Sequence, residues 1–67
     1  MTMQLRVNDE PLEFRGATVA ELVAQLGIEG QRLAVEVNEE IIPRGEHDHY
    51  RLREGDVVEI IHAVGGG

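Results

Sequence analysis

The sequence predicts a single α+β domain in which four to five strands form a mixed sheet and one main helix packs across one face. Two patterns carry this prediction. Several short segments alternate apolar and polar residues, with the two-residue period of β-strands, whereas one segment has the three- and four-residue spacing of an amphipathic helix. The length of 67 residues allows one domain, and a domain of this size buries only about 60% of its unfolded surface.

The first elements are predicted to form a β-hairpin. Met3–Val7 alternates apolar and polar residues and forms the first strand. Residues 8–11 (Asn-Asp-Glu-Pro) supply turn chemistry, and the second strand covers residues 12–14. Gly16 ends this hairpin.

A helix follows the hairpin. Thr18 and Glu21 have the spacing of a capping box, in which each side chain accepts a free backbone N–H of the first turn. The helix then carries an apolar stripe for one face of the sheet, formed by Val19, Leu22, Val23 and Leu26. Gly27 stands where a left-handed cap ends a helix, and Ile28 is placed for the hydrophobic contact that often follows it.

The second half of the chain predicts three more strands. They cover residues 33–37, 41–42 and 57–61, with a turn at 38–40, a polar loop with a single helical turn at 44–53 and a tight turn at 53–56. In the last strand, the two-residue period turns Val58 and Ile60 inward and Glu59 and Ile61 outward.

One helix covers only one face of the sheet, so the other face is open to solvent or to a partner. Ile61 is therefore a candidate docking contact, together with its neighbours Glu59 and Val64. An isolated apolar residue on a surface is also ordinary, so this pattern alone does not establish an interface.

Composition excludes several functions. Thirteen acidic residues against six basic ones give a net charge of −7, which disfavours nucleic acid and membrane as partners and favours a protein with a basic surface. The absence of cysteine excludes disulfides, a thiolate nucleophile and Cys-ligated metal. No apolar run is long enough to span a bilayer and no signal peptide opens the chain, so we expect a soluble, cytoplasmic protein.

Catalytic and metal sites are not indicated. The segment Glu46-His47-Asp48-His49, with His62 elsewhere, lacks further ligands at the spacing of a structural metal site, so we interpret it as an exposed polar loop. No Ser or Cys nucleophile accompanies these side chains, and no glycine-rich loop precedes a helix at phosphate-binding spacing. We therefore predict that the chain has no catalytic residue and binds neither a metal nor a cofactor.

The glycine run at residues 65–67 follows the last strand and divides the chain into a domain, residues 1–64, and a flexible tail. Because glycine has no side chain, Gly65 and Gly66 can thread a narrow channel and bring the Gly67 carboxylate into the active site of another protein. A frayed terminus or a linker has the same composition, so the tail by itself leaves both interpretations open.

Five short motifs follow one another along the chain. They are the opening strand with Asn8, Thr18-Val19-x-Glu21-Leu22, Val37-Asn38-x-x-Ile41-Ile42-Pro43-Arg44, Gly55-Asp56-x-Val58-Glu59-Ile60-Ile61 and Val64-Gly65-Gly66-Gly67. Taken together, they resemble the prokaryotic sulfur carrier proteins of the ThiS/MoaD family, whose fold is the ubiquitin-like β-grasp. The resemblance covers the whole chain, and the third motif favours the thiamine-pathway ThiS branch over its molybdopterin relatives.

The resemblance implies a carrier that partner enzymes act upon. A ThiF-type adenylating enzyme would use ATP and Mg to couple the Gly67 carboxylate to AMP. A cysteine desulfurase or another persulfide donor would then supply sulfur and leave a terminal thiocarboxylate, which donates that sulfur to a ThiG-type thiazole synthase. The chain would be a cosubstrate of these enzymes and would not itself be an enzyme.

Two alternatives stay open on the residues alone. The carrier could serve molybdopterin synthase or another sulfur pathway, because the acceptor is chosen by contacts in the partner. The chain could also be a passive ubiquitin-like interaction module, although a blunt end at glycine favours a tail that is chemically used.

Overall fold

A computed structural model describes residues 1–62 of the chain and shows a five-stranded mixed sheet crossed by a helix. The predicted order of elements is confirmed: β1 (Met3–Val7), β2 (Glu10–Phe14), α1 (Val19–Gln25), β3 (Leu33–Val37), β4 (Glu40–Ile42), a 3-10 helix (Arg44–Glu46) and β5 (Val57–His62). Within the part of the chain that is described, no helix is both long and apolar enough to cross a membrane.

The last strand lies in the middle of the sheet, whose order is β2-β1-β5-β3-β4. β5 runs parallel to β1, with Val7 beside Val58, and antiparallel to β3, with Val37 also beside Val58. The two hairpins, β1-β2 and β3-β4, therefore flank a strand that comes from the far end of the sequence.

Both hairpin turns are tighter than predicted. The strands pair as far as Val7 with Glu10 and Val37 with Glu40, so each loop has two residues instead of the three or four expected. Both loop residues have positive φ: 50° and 70° at Asn8 and Asp9, 51° and 71° at Asn38 and Glu39. This is the backbone of a type I′ turn, which matches the twist of the flanking strands.

The predicted start of β2 at residue 12 was consequently wrong, because Glu10 and Pro11 belong to the strand. Pro11 was interpreted as a turn residue. It is tolerated in β2 because this strand lies at the edge of the sheet, where not every backbone N–H needs a partner. The second turn is also shorter than predicted, so β4 begins at Glu40 and not at residue 41.

The helix has both predicted caps. The Glu21 N–H donates to the Thr18 hydroxyl at 3.3 Å, and the Glu21 carboxylate accepts from the Thr18 N–H at 3.0 Å and the Ala17 N–H at 2.7 Å. At the other end Gly27 has φ +73°, and the Ile28 N–H donates to the Val23 carbonyl at 3.2 Å. These are the bonds of a Schellman motif, so both cap predictions are confirmed.

The loop after β4 completes the start of the helix. The N–H groups of Val19 and Ala20, which have no partner within the helix, donate to the carbonyls of Tyr50 and His47 at 3.0 and 2.9 Å. The sequence patterns identified this polar segment only as a loop with one helical turn. In the structure its carbonyl groups cap the N-terminus of the helix.

The core lies between the helix and one face of the sheet. Phe14, Val19, Leu22, Val35 and Val58 are fully buried. Packing of the core also requires glycine at position 16, because a Cβ there would lie 2.8 Å from the ring of Phe14. The remaining buried hydrophobic residues are Leu5, Val7, Val23, Val37, Ile42, Leu52 and Ile60.

Truncation of core side chains tests this arrangement. Leu22 and Ile60 are 0% and 7% exposed, so Leu22→Ala and Ile60→Ala should each lower the free energy of unfolding by about 2–5 kcal/mol. Ile61→Ala is the matched control, because its side chain is 48% exposed and its loss should cost about 0.5 kcal/mol or less. Urea unfolding monitored by circular dichroism measures all three, and equal losses for Ile60→Ala and Ile61→Ala would contradict the assigned faces.

The capping box predicts a dependence of stability on pH. Hydrogen bonds from the Ala17 and Thr18 N–H groups favour the charged carboxylate and hold the pKa of Glu21 below its ordinary value of 4.5. Its contribution is therefore fully present above about pH 4.5 and is lost as the pH falls through the lower pKa of the folded state.

We expect Glu21→Gln to be less stable than the wild type near neutral pH, with a difference that shrinks in acid. Urea midpoints measured at intervals between about pH 7 and pH 2.5 test this expectation. Glu29→Gln, an exposed residue outside the cap, controls for the change in net charge. A difference that stays constant across the range would exclude the carboxylate as its source.

Candidate functional site

The predicted site is the segment that follows β5, so β5 is the described element that lies next to it in the chain. β5 ends at His62, and the predicted site residues Val64, Gly65, Gly66 and Gly67 lie outside the described residues. Of the predicted set, the structure places Glu59 and Ile61. Both lie on the face of the sheet opposite the helix, as predicted.

Asn8 fastens β5 to β1. Its N–H donates to the Val58 carbonyl at 2.9 Å, and its side-chain oxygen accepts from the Ile60 N–H at 2.9 Å. The chain leaves β1 at Asn8, so β1 provides no further backbone carbonyl beside Ile60. The side-chain oxygen of Asn8 accepts the Ile60 N–H in its place. The ladder beside β5 is thereby extended toward the end of the strand.

Asn38, at the same position of the second hairpin turn, fastens β5 from the other side. Its N–H donates to the Val57 carbonyl at 2.7 Å, and its side-chain oxygen accepts from the Val57 N–H at 3.0 Å. Its side-chain N–H₂ also donates to the Asp56 carboxylate at 3.0 Å. The two turns thus hold the central strand at its start and near its end.

The face of the sheet opposite the helix, which we call the open face, carries a set of exposed apolar side chains. Ile61, Ile41 and Val57 are 48%, 64% and 44% exposed. Among residues 1–62 only Met1 is a further large hydrophobic residue with comparable exposure. Of these three side chains, the sequence indicated Ile61 as a docking candidate, with Glu59 and Val64 beside it, and the structure adds Ile41 and Val57.

Charged side chains of the open face stand in a fixed order along β5. Arg6 pairs with Val57 at the start of the strand, Glu36 pairs with Glu59 in the middle, and Ile41 pairs with Glu36 on the other side. At the end of the strand, Ile61 shares a shallow groove with Ala34, Arg32 and Arg44. Arg44 is held there by its hydrogen bond to the Gln31 carbonyl, at 3.0 Å.

The histidine-containing segment has a structural contact. The His47 Nε2 atom lies 3.0 Å from the Ile42 carbonyl oxygen and is partly buried. Residues 1–62 contain no group of three or more His, Asp or Glu side chains arranged to hold a metal ion. His47 therefore takes part in packing the loop against β4.

The sequence patterns did not identify Asn38 as a hydrogen-bond partner of β5. They also did not identify Glu36, Ile41 and Val57 as parts of the open face. A signal for the Asn residues was present, because Val-Asn-acid-Glu occurs twice, at 7–10 and at 37–40. The role of each asparagine depends on a strand that is distant in sequence, so the repeat indicates the turns but not the hydrogen bonds to β5.

Comparison with known proteins gives the family context. The model of the ThiS family matches residues 5–67. The sulfur carrier protein ThiS of Thermus thermophilus is 38% identical over 61 residues, covering 91% of this chain and 95% of that protein. The crystal structure of the thiamine biosynthesis protein ThiS from Geobacter metallireducens superimposes with a TM-score of 0.82 at 35% identity, covering 97% of this chain and 100% of that one. This likeness confirms the predicted β-grasp fold.

A second group of relatives is much longer. The thiazole synthase of Paramagnetospirillum magneticum is 36% identical over 66 residues, which are 97% of this chain and 20% of that protein. The chain therefore spans about a fifth of the length of such relatives.

The hydrogen bond from β5 to Asn8 can be tested without changing the turn. Asn8→Gly keeps the positive φ and removes the acceptor of the Ile60 N–H, so we expect the free energy of unfolding to fall by about 1–3 kcal/mol. Asn8→Asp keeps an acceptor oxygen and is the matched control. Amide hydrogen exchange should become faster at Ile60 in the first variant alone. Unchanged exchange in Asn8→Gly would show that the bond does not hold the strand.

Proposed function

The chain belongs to the ThiS family, and from this membership we propose that it is a sulfur carrier protein of thiamine biosynthesis, working in formation of the thiazole ring. The observation that carries the proposal is the family match over residues 5–67, which includes the three glycines. Relatives that the chain covers almost completely are named sulfur carrier proteins.

The proposed chemistry takes place on the Gly67 carboxylate. An adenylating enzyme of the ThiF type joins this carboxylate to AMP from Mg-ATP and releases pyrophosphate. The step is needed because a carboxylate is a poor electrophile, whereas an acyl adenylate has phosphate as its leaving group. ATP and Mg belong to the partner enzyme in this proposal, and the chain acts as its cosubstrate.

Sulfur then replaces oxygen in two steps. The terminal sulfur of a persulfide, supplied by a cysteine desulfurase or another donor, attacks the acyl carbon, and AMP leaves. A thiol cleaves the resulting acyl disulfide, so the donor sulfur stays on the carrier as a thiocarboxylate and the thiol forms a disulfide with the donor. The thiol supplies the two electrons that reduce the acyl disulfide and is itself oxidised to the disulfide.

A ThiG-type thiazole synthase is the proposed acceptor of the sulfur. Two relatives named thiazole synthase contain a segment similar to nearly all of this chain, at 36% and 35% identity. A carrier segment within the same polypeptide as its acceptor supports a partnership between the two proteins. The open face, with Ile61 and Glu59, is the proposed contact surface, and Val64 continues the chain from it toward the glycines.

Intact-mass measurement tests this function directly. The chain is incubated with a ThiF-type enzyme, Mg-ATP, a persulfide donor and a thiol, and we expect the mass increase that accompanies exchange of one oxygen for sulfur. Deletion of Gly67 should abolish it. A shift obtained only with a molybdopterin-type activating enzyme would change the pathway, and no shift with any activating enzyme would favour a passive interaction module.

The glycine run predicts a narrow channel in the partner, which Gly66→Ala tests. A methyl group where channel walls approach the backbone should slow adenylation by about tenfold to a hundredfold, because small displacements of a reacting group are costly. Urea unfolding should be unchanged, since the buried core that the structure describes is formed by side chains of residues 5–60. Gly45→Ala, at a position where a Cβ meets no atom within 4 Å, is the matched control. Adenylation of Gly66→Ala at the wild-type rate would refute the channel.

A further inference from the structure

A depression with basic side chains lies near the start of β5, away from the end at which the chain continues toward the glycines. His49, Arg51 and Arg53 of the preceding loop line it, together with Asn38 of the second hairpin turn. We call it the basic depression. β5 runs away from it for six residues, about 17 Å. It is therefore a different surface from the groove around Ile61.

The basic side chains alternate with inward ones along the loop. Leu52 is buried and Tyr50 is half-buried. Arg51 forms an antiparallel bridge with Thr18, so the backbone is extended at this point. In an extended chain alternate residues lie on the same side, with Cα atoms about 7 Å apart. The exposed members of the series are His49, Arg51 and Arg53.

Hydrogen bonds within the domain hold the acidic neighbours of Arg53. The Asp56 carboxylate accepts from the Asn38 side-chain N–H₂ at 3.0 Å and from the Arg53 backbone N–H at 2.8 Å. The Glu54 carboxylate accepts from the Gln4 N–H at 3.0 Å. All these donors are backbone or asparagine groups, so the arginine side chains are not required to hold either carboxylate in place.

We propose that the basic depression binds an extended acidic segment of a partner protein, in which two carboxylates stand two residues apart. Alternate side chains of such a segment repeat every 7 Å or so on one side, which is the spacing of Arg51 and Arg53. A guanidinium binds a carboxylate through two parallel N–H donors. The depression measures about 690 Å³, within the range of about 300–1,000 Å³ that is usual for ligand sites.

The charge of the whole chain does not prevent this binding. The net charge is −7, but charges more than about 8 Å away are largely screened at physiological ionic strength. An acidic segment in the depression therefore interacts mainly with the two guanidinium groups. The surrounding acidic surface repels the same segment elsewhere, so the depression is a selective position for it.

The location of the depression gives the site a use. A partner bound near the start of β5 leaves the other end of this strand accessible, so one protein holds the chain while a second one reacts with its terminus. This use rests on the proposed function, whereas the binding site itself does not. Failure of the wild type to be adenylated would refute the proposed function and leave the peptide-binding result unaffected.

The test is a ¹H–¹⁵N NMR titration of the chain with the peptide Ser-Asp-Ser-Asp-Ser-Asp-Ser at low ionic strength. We expect the largest shifts at residues 49–53 and weaker binding as salt is added. Arg53→Gln should weaken binding about fivefold, and Arg53→Lys should retain part of the lost affinity. Arg15→Gln, an exposed residue outside the depression, makes the same change in net charge and should leave the affinity within about twofold.

A peptide of the same composition, Ser-Ser-Asp-Asp-Asp-Ser-Ser, tests the spacing and should bind more weakly. Equal binding of the two peptides, or equal weakening by Arg53→Gln and Arg15→Gln, would overturn the inference. Inorganic phosphate bound as tightly as the first peptide would replace it with a small-anion site. A dimer in sedimentation that Arg53→Gln dissociates would identify a second copy of the chain as the occupant instead. Thermal midpoints equal to that of the wild type show that the variants remain folded.

Discussion

The central position of β5 is the constraint on which the other features depend. This strand is contributed by the last part of the described chain, yet it pairs with β1 on one side and β3 on the other. Its inward residues, Val58 and Ile60, complete the core, and its outward residues, Glu59 and Ile61, form the middle of the open face. Because successive side chains of a strand point to opposite faces, one register decides both sets at once. A slip by one residue would expose the core and bury the charges.

That register is stabilised by hydrogen bonds from two hairpin turns that lie far from β5 in sequence. Asn8 and Asn38 each use a backbone N–H and a side-chain oxygen on β5, so each asparagine serves as a turn residue and as a partner of the central strand. The positive φ of both residues is tolerated by asparagine better than by most other residues with side chains. The two demands together explain why asparagine stands first in both turns.

Sequence patterns predicted the elements whose determinants are local. The capping box of Thr18 and Glu21 and the cap at Gly27 depend on residues a few positions apart, and both are confirmed. The outward direction of the Glu59 and Ile61 side chains follows from the two-residue period of a β-strand. Features that depend on distant contacts were missed. Pro11 was placed in a turn because the edge position of its strand is not visible locally, and the pairing of Glu36 with Glu59 becomes visible only with the strand order.

The division between core and open face also bears on the function proposed for this domain. A domain of this size has little material for a deep cleft, and the buried residues within the described part of the chain are all apolar. In the proposed function, a partner enzyme therefore supplies the chemistry that needs a cleft, bound ATP and a metal, and this chain supplies recognition and a reacting group.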